Sequence, residues 1–221
     1  MNKLPIPFID LEKTRVVTYR GLEWVVLPTV FPPFPSLDRI VGISARNIEM
    51  FRGKDVLDIG CGSGVRTILA CMSGAKSVVA SDISLAACKN TRINLIIHEC
   101  LDVEVSHSDL FKNISGRFDC IVAYLPSIDR ELEHVWQNSI YDPDFVIHKK
   151  LIQEAKKYLT KNGKVHLAFL ESQENNLMKF IKKEGYRVVY EHKESNPSGN
   201  WIFVDISFTT TADYIKKSSC F

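Results

Sequence analysis

Three carboxylates and three glycines carry the sharpest chemical signal in this sequence. Asp58 closes the apolar run "DVLDI", and Gly60, Gly62 and Gly64 follow at alternate positions in "GCGSGVRT". Glycine permits positive φ and lets a ligand touch backbone without meeting a Cβ. The helix that follows offers unpaired N–H groups at its start. Asp82 ends the next strand-like run, "SVVASD", and Asp109 follows a third in "HSDLF". Taken singly, such a loop is a tight connection and such an aspartate a helix cap. At the ends of three successive predicted strands, the set reads as a nucleotide site.

Two ligands use such a turn. A dinucleotide places its pyrophosphate at the helix N-terminus with the spacing G-x-G-x-x-G. The spacing here is G-x-G-x-G, and Val65-Arg66-Thr67 follows without the third dinucleotide glycine. S-adenosylmethionine (SAM) has an ammonium and a sulfonium but no phosphate, and Asp58 suits a cation and opposes a pyrophosphate. Asp82 can accept both ribose hydroxyls of either ligand. Asp109 or its neighbouring backbone can read an adenine edge, with Leu110 or Ile83 flanking the ring. Cys61 lies within the loop and joins the cofactor-binding set.

A fourth apolar run, "FDCIVA", stops abruptly at Tyr124-Leu125-Pro126-Ser127. The Tyr124 ring can face a sulfonium by cation–π attraction, and its hydroxyl can orient a substrate. The alternative is a tyrosine packed at the strand edge with its hydroxyl wet. Ser127 reads as a turn residue, since no Ser-His-Asp order accompanies it. No histidine has a partner at metal-ligand spacing, so no metal is expected.

These residues need a frame. The chain begins with "RVVTY", a turn at Arg20-Gly21, and "LEWVVL", then the proline-rich loop "PTVFPPFPS". Ser36 suits the N-cap of a helix that Gly53 closes. From Lys54 strands and helices alternate: helices over about Val65 to Met72, Leu85 to Ile97, Phe145 to Leu159 and Glu174 to Glu184. An Asn162-Gly163 turn follows the third of these. The runs "YRVVYE" and "WIFVDISF" leave no room for a crossover and must pair antiparallel. The expected fold is α/β: a mostly parallel, Rossmann-like seven-stranded sheet with an antiparallel last strand, covered on both faces. Residues 1–36 would be N-terminal strands and a lid-like loop, and residues 37–221 the SAM-binding domain. Such sheets bind ligands at the carboxyl ends of their strands.

With "DIGCGSG" in place, the sequence resembles the class I SAM-dependent methyltransferases. "SDLF", "FDCIVA" and "LIQEAKKYLTKNGKVHLAF" are similar in style to the release-factor glutamine and ribosomal-protein methyltransferase group. The resemblance implies SAM lying across the carboxyl edge, with Asp58 and the loop glycines at its methionine part, Asp82 at its ribose and Asp109 at its adenine. N-methylating relatives carry Asn-Pro-Pro-Tyr after the fourth strand, and the Asn and a proline carbonyl accept hydrogen bonds from the target nitrogen. Here Tyr124 replaces the Asn, Leu125 the first proline and Ser127 the tyrosine, while Pro126 is kept.

Substrate-side candidates lie in two connections. Phe31 and Phe34 in the proline-rich loop could wall a pocket. "HVWQNSIYDPDFVIHKK", with Tyr141, has unusual polar-aromatic content for a connection. Pro126 and Ser127 complete the set. Asp142-Pro143 also reads as a turn before a helix.

Composition is that of an ordinary globular protein: 221 residues, 45% hydrophobic, 24% charged, with 28 basic against 26 acidic residues. That balance argues against a strongly basic nucleic-acid binder. Six cysteines without a C-x-x-C pair read as free thiols in a reducing cytoplasm. No apolar run reaches the ~18 residues of a membrane span, so no membrane partner is expected. The expected activity is methyl transfer from SAM, with a small metabolite favoured over a protein side chain as acceptor because the Asn is missing. Cleavage or cyclisation of SAM to methylthioadenosine, and a SAM-binding module without turnover, are the alternatives. A nicotinamide-dependent oxidoreductase is more distant.

Overall fold

The computed structural model describes residues 12–19, 21–33, 49–131, 139–196 and 199–208. Phe34, most of the helix expected after Ser36, and His134 and Trp136 lie outside them. Strand β1 (Arg15–Tyr19) pairs antiparallel with β2 (Leu22–Val26) across Gly21, whose φ of 74° makes the turn. Then come β3 (Asp55–Ile59), α1 (Val65–Met72), β4 (Ser77–Asp82), α2 (Leu85–Ile97), β5 (Glu104–His107) and β6 (Phe118–Ala123). They are followed by α3 (Val146–Ala155), β7 (Leu159–Leu170), α4 (Glu174–Lys183), β8 (Tyr186–Asn196) and β9 (Gly199–Phe208).

Strands β3 to β9 form one sheet in the order β5-β4-β3-β6-β7-β9-β8. Strands β3 to β7 run parallel, and β9 is antiparallel to both β7 and β8. The expected fold class is therefore the observed one. Strand order reverses between β3 and β6, which puts the carboxyl ends of these two strands beside the crevice such sheets use for ligands.

Side chains alternate across the sheet. On one face Leu57, Ile121, Val165 and Ile202 pack with Leu151 and Ile152 of α3 and Leu177 and Ile181 of α4. On the other, Val56 and Val122 pack with Ala70 of α1 and Phe51. The β1–β2 hairpin is fastened to α2 by two buried asparagines. Asn94 and Asn90 accept from the backbone N–H groups of Val25 and Leu27, and both side-chain amides donate to the Val25 carbonyl. Trp24 and Tyr19 then pack against Ile68 and Leu95.

Several boundaries differ from the sequence expectation; β8, for one, runs past Glu191 to Asn196. The helix predicted over Phe145 to Leu159 runs only from Val146 to Ala155. Asp144 and Phe145 hold left-handed backbone, φ 52° and 55°, so neither can be the first helical residue. Instead the buried Asp142 carboxylate accepts from the N–H groups of Ile147 and His148 and caps the helix from outside. Asn162-Gly163 lies inside β7 rather than before it. Leu159 pairs with Phe118, and Lys164 with Cys120, so the register shifts between them. A Cβ at Gly163 would stand 2.7 Å from the Phe118 carbonyl oxygen, so contact with β6 is what demands glycine there.

Candidate active site

The loop after β3 has the backbone its glycines foretell, with φ of 77°, 55° and 88° at Gly60, Gly62 and Gly64. It is tied to β4, since Gly60 and Cys61 donate to the Ser81 carbonyl at 2.8 and 3.0 Å. It also abuts the end of β6: a Cβ on Gly60 would lie 3.5 Å from Leu125 Cδ2. The glycine motif and the Tyr124–Leu125 stretch thus meet. A Cβ on Gly64 would press on Thr91, at 3.2 Å, whereas one on Gly62 would meet nothing within 4 Å. Gly62 is the position where the loop opens onto free space.

Asp58 is 1% exposed. Its Oδ2 accepts from Thr67 Oγ1 at 2.6 Å, and its Oδ1 is buried without a hydrogen-bond partner. Burial pushes this carboxyl up, with the Arg66 guanidinium and the Thr67 hydroxyl opposing. A buried anionic oxygen left unpaired costs stability unless a cation or donor meets it. This fits an ammonium-bearing ligand at the mouth of the loop.

Asp82 is held by two backbone donors, Gly62 N–H at 3.0 Å on Oδ2 and Ser84 N–H at 2.8 Å on Oδ1. A carboxylate accepts about four hydrogen bonds, so capacity for a diol remains. Burial pushes its pKa up, and those backbone bonds oppose it. Ile83 beside it is 61% exposed, an apolar side chain left facing outward at this edge. His107 Nε2 contacts the Ile83 carbonyl at 2.9 Å and braces that turn. Leu110 is buried at φ 49°, and the Ser108 hydroxyl donates to its carbonyl at 2.8 Å. Asp109 turns its carboxylate outward to Lys150 Nζ at 3.2 Å, an exposed pair worth little.

Tyr124 is half-buried at the end of β6, as the sequence placed it. One face of its ring carries a cation already: Arg66 Cζ lies 3.3 Å from the ring centroid. Phe203 of β9 stands 6.1 Å away, tilted. Burial pushes the phenol up, the Arg66 guanidinium opposing, so the hydroxyl is neutral at physiological pH and can orient a group but not take its proton. Arg66 itself is lowered by burial and stays charged between Asp58 and Tyr124.

Beyond Tyr124 the chain is internally bonded. Ser127 Oγ donates to the Leu125 carbonyl at 2.9 Å, and the Ser127 carbonyl accepts from Gln173 Nε2. Ser127 is buried, which supports its reading as a turn residue. Phe31 and Tyr141, named from two separate connections, come together in one apolar cluster with Ile128 and Ile140. Among the described residues no group of three or more His, Cys, Asp or Glu side chains could hold a metal.

Sequence reasoning missed three features. Arg66 sits in the motif, but its contact with Tyr124 depends on how α1 leans on the sheet. His166 and Asp205 form a buried pair at 2.6 Å between β7 and β9. They share a cross-sheet row with Asp58 and Val122, legible only once the register is known. Gln173, just before α4, gave no sequence signal at all.

Residues 27–186 match the family described as methyltransferase small domain. The chain is 29% identical over 181 residues to a putative protein N5-glutamine methyltransferase of Methanocaldococcus jannaschii, covering 78% of this chain and 89% of that one. It is 33% identical over 161 residues to a release factor glutamine methyltransferase of Lactococcus lactis, covering 67% of this chain and 59% of that one. The solved ribosomal protein L11 methylase of Lactobacillus delbrueckii shares the fold, with a TM-score of 0.62 at 24% identity over 75% of this chain and 77% of that one. So does a chain solved in complex with a leucine tRNA, at 0.63 and 16% identity over 89% and 53%. The expectation of a small-metabolite acceptor, with nucleic acid disfavoured, is overturned by these names. They are of proteins that act on a release factor or a ribosomal protein, or that bind tRNA. The missing Asn carried too much weight in that expectation, and a net charge of +2 does not describe a local surface. No helix among the described residues is long and apolar enough to cross a membrane.

Proposed function

The chain belongs to the methyltransferase small domain family and is a class I SAM-dependent methyltransferase, and from that premise we propose that it methylates a side-chain nitrogen of a protein. The observation that carries the donor half is Asp58 Oδ1, a buried carboxylate oxygen without a partner beside a glycine loop that opens at Gly62. In this reading Asp58 and the Gly60–Gly64 loop, with Cys61, hold the methionine end of SAM. Asp82 takes the ribose hydroxyls, and Ile83 and Leu110 flank the adenine beside the backbone of Asp109. When bound, SAM supplies a methyl group on a positively charged sulfur. What the chain adds is positioning: it fixes the acceptor nitrogen in line and keeps water away.

Tyr124 fits a positioning role through its ring, which Arg66 braces from one face. In this reading the acceptor side comprises Pro126 and Ser127, which follow Tyr124 in the chain, and Phe31 and Tyr141, which share one apolar cluster. The protein acceptor rests on relatives named for glutamine methylation, one of which the chain matches over 89% of its length. The test is incubation with methyl-tritiated SAM and a cell lysate, followed by nuclease or protease treatment. Label that resists nuclease and is released by protease is the expected result. Label that nuclease releases counts against a protein acceptor and in favour of RNA.

A further inference from the structure

The end of β6 lacks the asparagine that N-methylating relatives use, and the structure offers a replacement acceptor from the neighbouring strand. Strands β6 and β7 are parallel neighbours, so the residues after both lie at the same carboxyl edge. Gln173 follows β7 and is 2% exposed. Its Nε2 donates to the Ser127 carbonyl. A carbonyl can only accept, so the amide's orientation is fixed and Oε1 points the other way. That oxygen is buried and has no hydrogen-bond partner. A buried amide oxygen without a donor is rare, because it forfeits its hydration with no return.

Two carbonyl acceptors of this stretch are already engaged. The Leu125 carbonyl takes the Ser127 hydroxyl, and the Ser127 carbonyl takes Gln173. Tyr124 offers a neutral phenol, not an amide oxygen. We propose that Gln173 positions the methyl acceptor, its Oε1 accepting an N–H hydrogen bond from the side-chain amide or amine to be methylated. This rests on the protein-nitrogen reading above and assigns its recognition to a residue outside the Tyr124–Ser127 segment. In the transfer, a nitrogen–methyl bond forms as the methyl–sulfur bond breaks, the electron pair of that bond staying on sulfur. The nitrogen gives up one proton to solvent as the product leaves. Gln173 Oε1 accepts from the nitrogen's second hydrogen and takes no proton itself.

Two variants test this against wild type. Gln173→Met keeps the bulk and removes the acceptor. Gln173→Glu is a conditional mimic: protonated, it donates to the Ser127 carbonyl and still presents an acceptor oxygen, whereas ionised it repels that carbonyl. Each is assayed for methyl incorporation into lysate protein from methyl-tritiated SAM across pH, and for SAM affinity by calorimetry. The expected results are at least a tenfold loss of incorporation in Gln173→Met with SAM affinity within twofold of wild type. In Gln173→Glu, activity relative to wild type rises as the pH is lowered. Unchanged incorporation in Gln173→Met overturns the proposal, as does a parallel loss of SAM affinity. If Gln173→Met does not fold, a Gln173→Glu profile parallel to wild type overturns it. Absence of labelled protein with the wild-type enzyme overturns the acceptor reading on which the proposal stands.

Discussion

Replacing Gly62 by alanine separates backbone strain from ligand contact, because Gly53 supplies a matched control. Gly62 has φ 55° and Gly53 φ 68°, and a Cβ at either would meet nothing within 4 Å. The two substitutions therefore share one structural cost, a left-handed backbone for an L-residue, about 1–2 kcal/mol. For a chain of this size each kcal/mol lowers the thermal midpoint by about 2–4 °C, so both variants should melt roughly 2–8 °C below wild type. Their positions differ. Gly53 precedes β3 at its amino end, and Gly62 opens at its carboxyl end beside Asp82. A methyl group at position 62 intrudes where the ligand should approach the backbone. The expected loss of SAM affinity is at least tenfold, ~1.4 kcal/mol, while Gly53→Ala keeps wild-type affinity. Calorimetry with SAM and a melting curve on each variant suffice. Equal SAM affinity in Gly62→Ala and Gly53→Ala would refute the placement of the donor at this loop.

Asp82→Ala removes the acceptor proposed for the ribose hydroxyls, hydrogen bonds to a charged group worth about 1.5–3 kcal/mol. SAM affinity should fall at least tenfold in a folded variant, and unchanged affinity by calorimetry counts against the role. Asp58→Asn keeps an acceptor for Thr67 and removes a buried charge. The folded Asp58 carboxyl lies above its ordinary 3.8, so the native chain keeps its proton after the unfolded chain has lost it. Wild-type stability relative to the Asn variant should therefore fall as pH rises through that interval and level off above it. Denaturant midpoints across pH that instead show wild type gaining on the variant contradict this. Tyr124→Phe keeps the ring that stacks on Arg66, a contact worth about 0.5–2 kcal/mol, and should retain most turnover and SAM affinity, whereas Tyr124→Ala should lose stability and turnover together. Lost turnover with intact SAM binding in Tyr124→Phe would assign the hydroxyl to the acceptor instead.

The features legible in the sequence were those set by neighbours along the chain. The glycine loop, the aspartates at the ends of β3 and β4, and the β8–β9 pairing follow from local pattern and connection length. Features set across the sheet were not legible. The Gly163 excursion depends on the Phe118 carbonyl, the contact of Arg66 with Tyr124 on the lean of α1, and the His166–Asp205 pair on register. The end of α3 falls at Ala155 rather than Leu159, because Leu159 belongs to β7 and pairs with Phe118 of the neighbouring strand. At the acceptor edge, reading Tyr124 against an expected asparagine looked only along β6. Gln173 reaches the same edge from β7.

The most direct test of methyl transfer at this site is mass spectrometry of the nucleoside and protein products after incubation with SAM and lysate protein. The account predicts S-adenosylhomocysteine formed in step with the mass gain of one CH2 on a protein nitrogen (CH3 in place of H), both slowed at least tenfold in Asp82→Ala at SAM concentrations below its dissociation constant. Methylthioadenosine as the nucleoside product, or S-adenosylhomocysteine formed at the wild-type rate by Asp82→Ala, would contradict it.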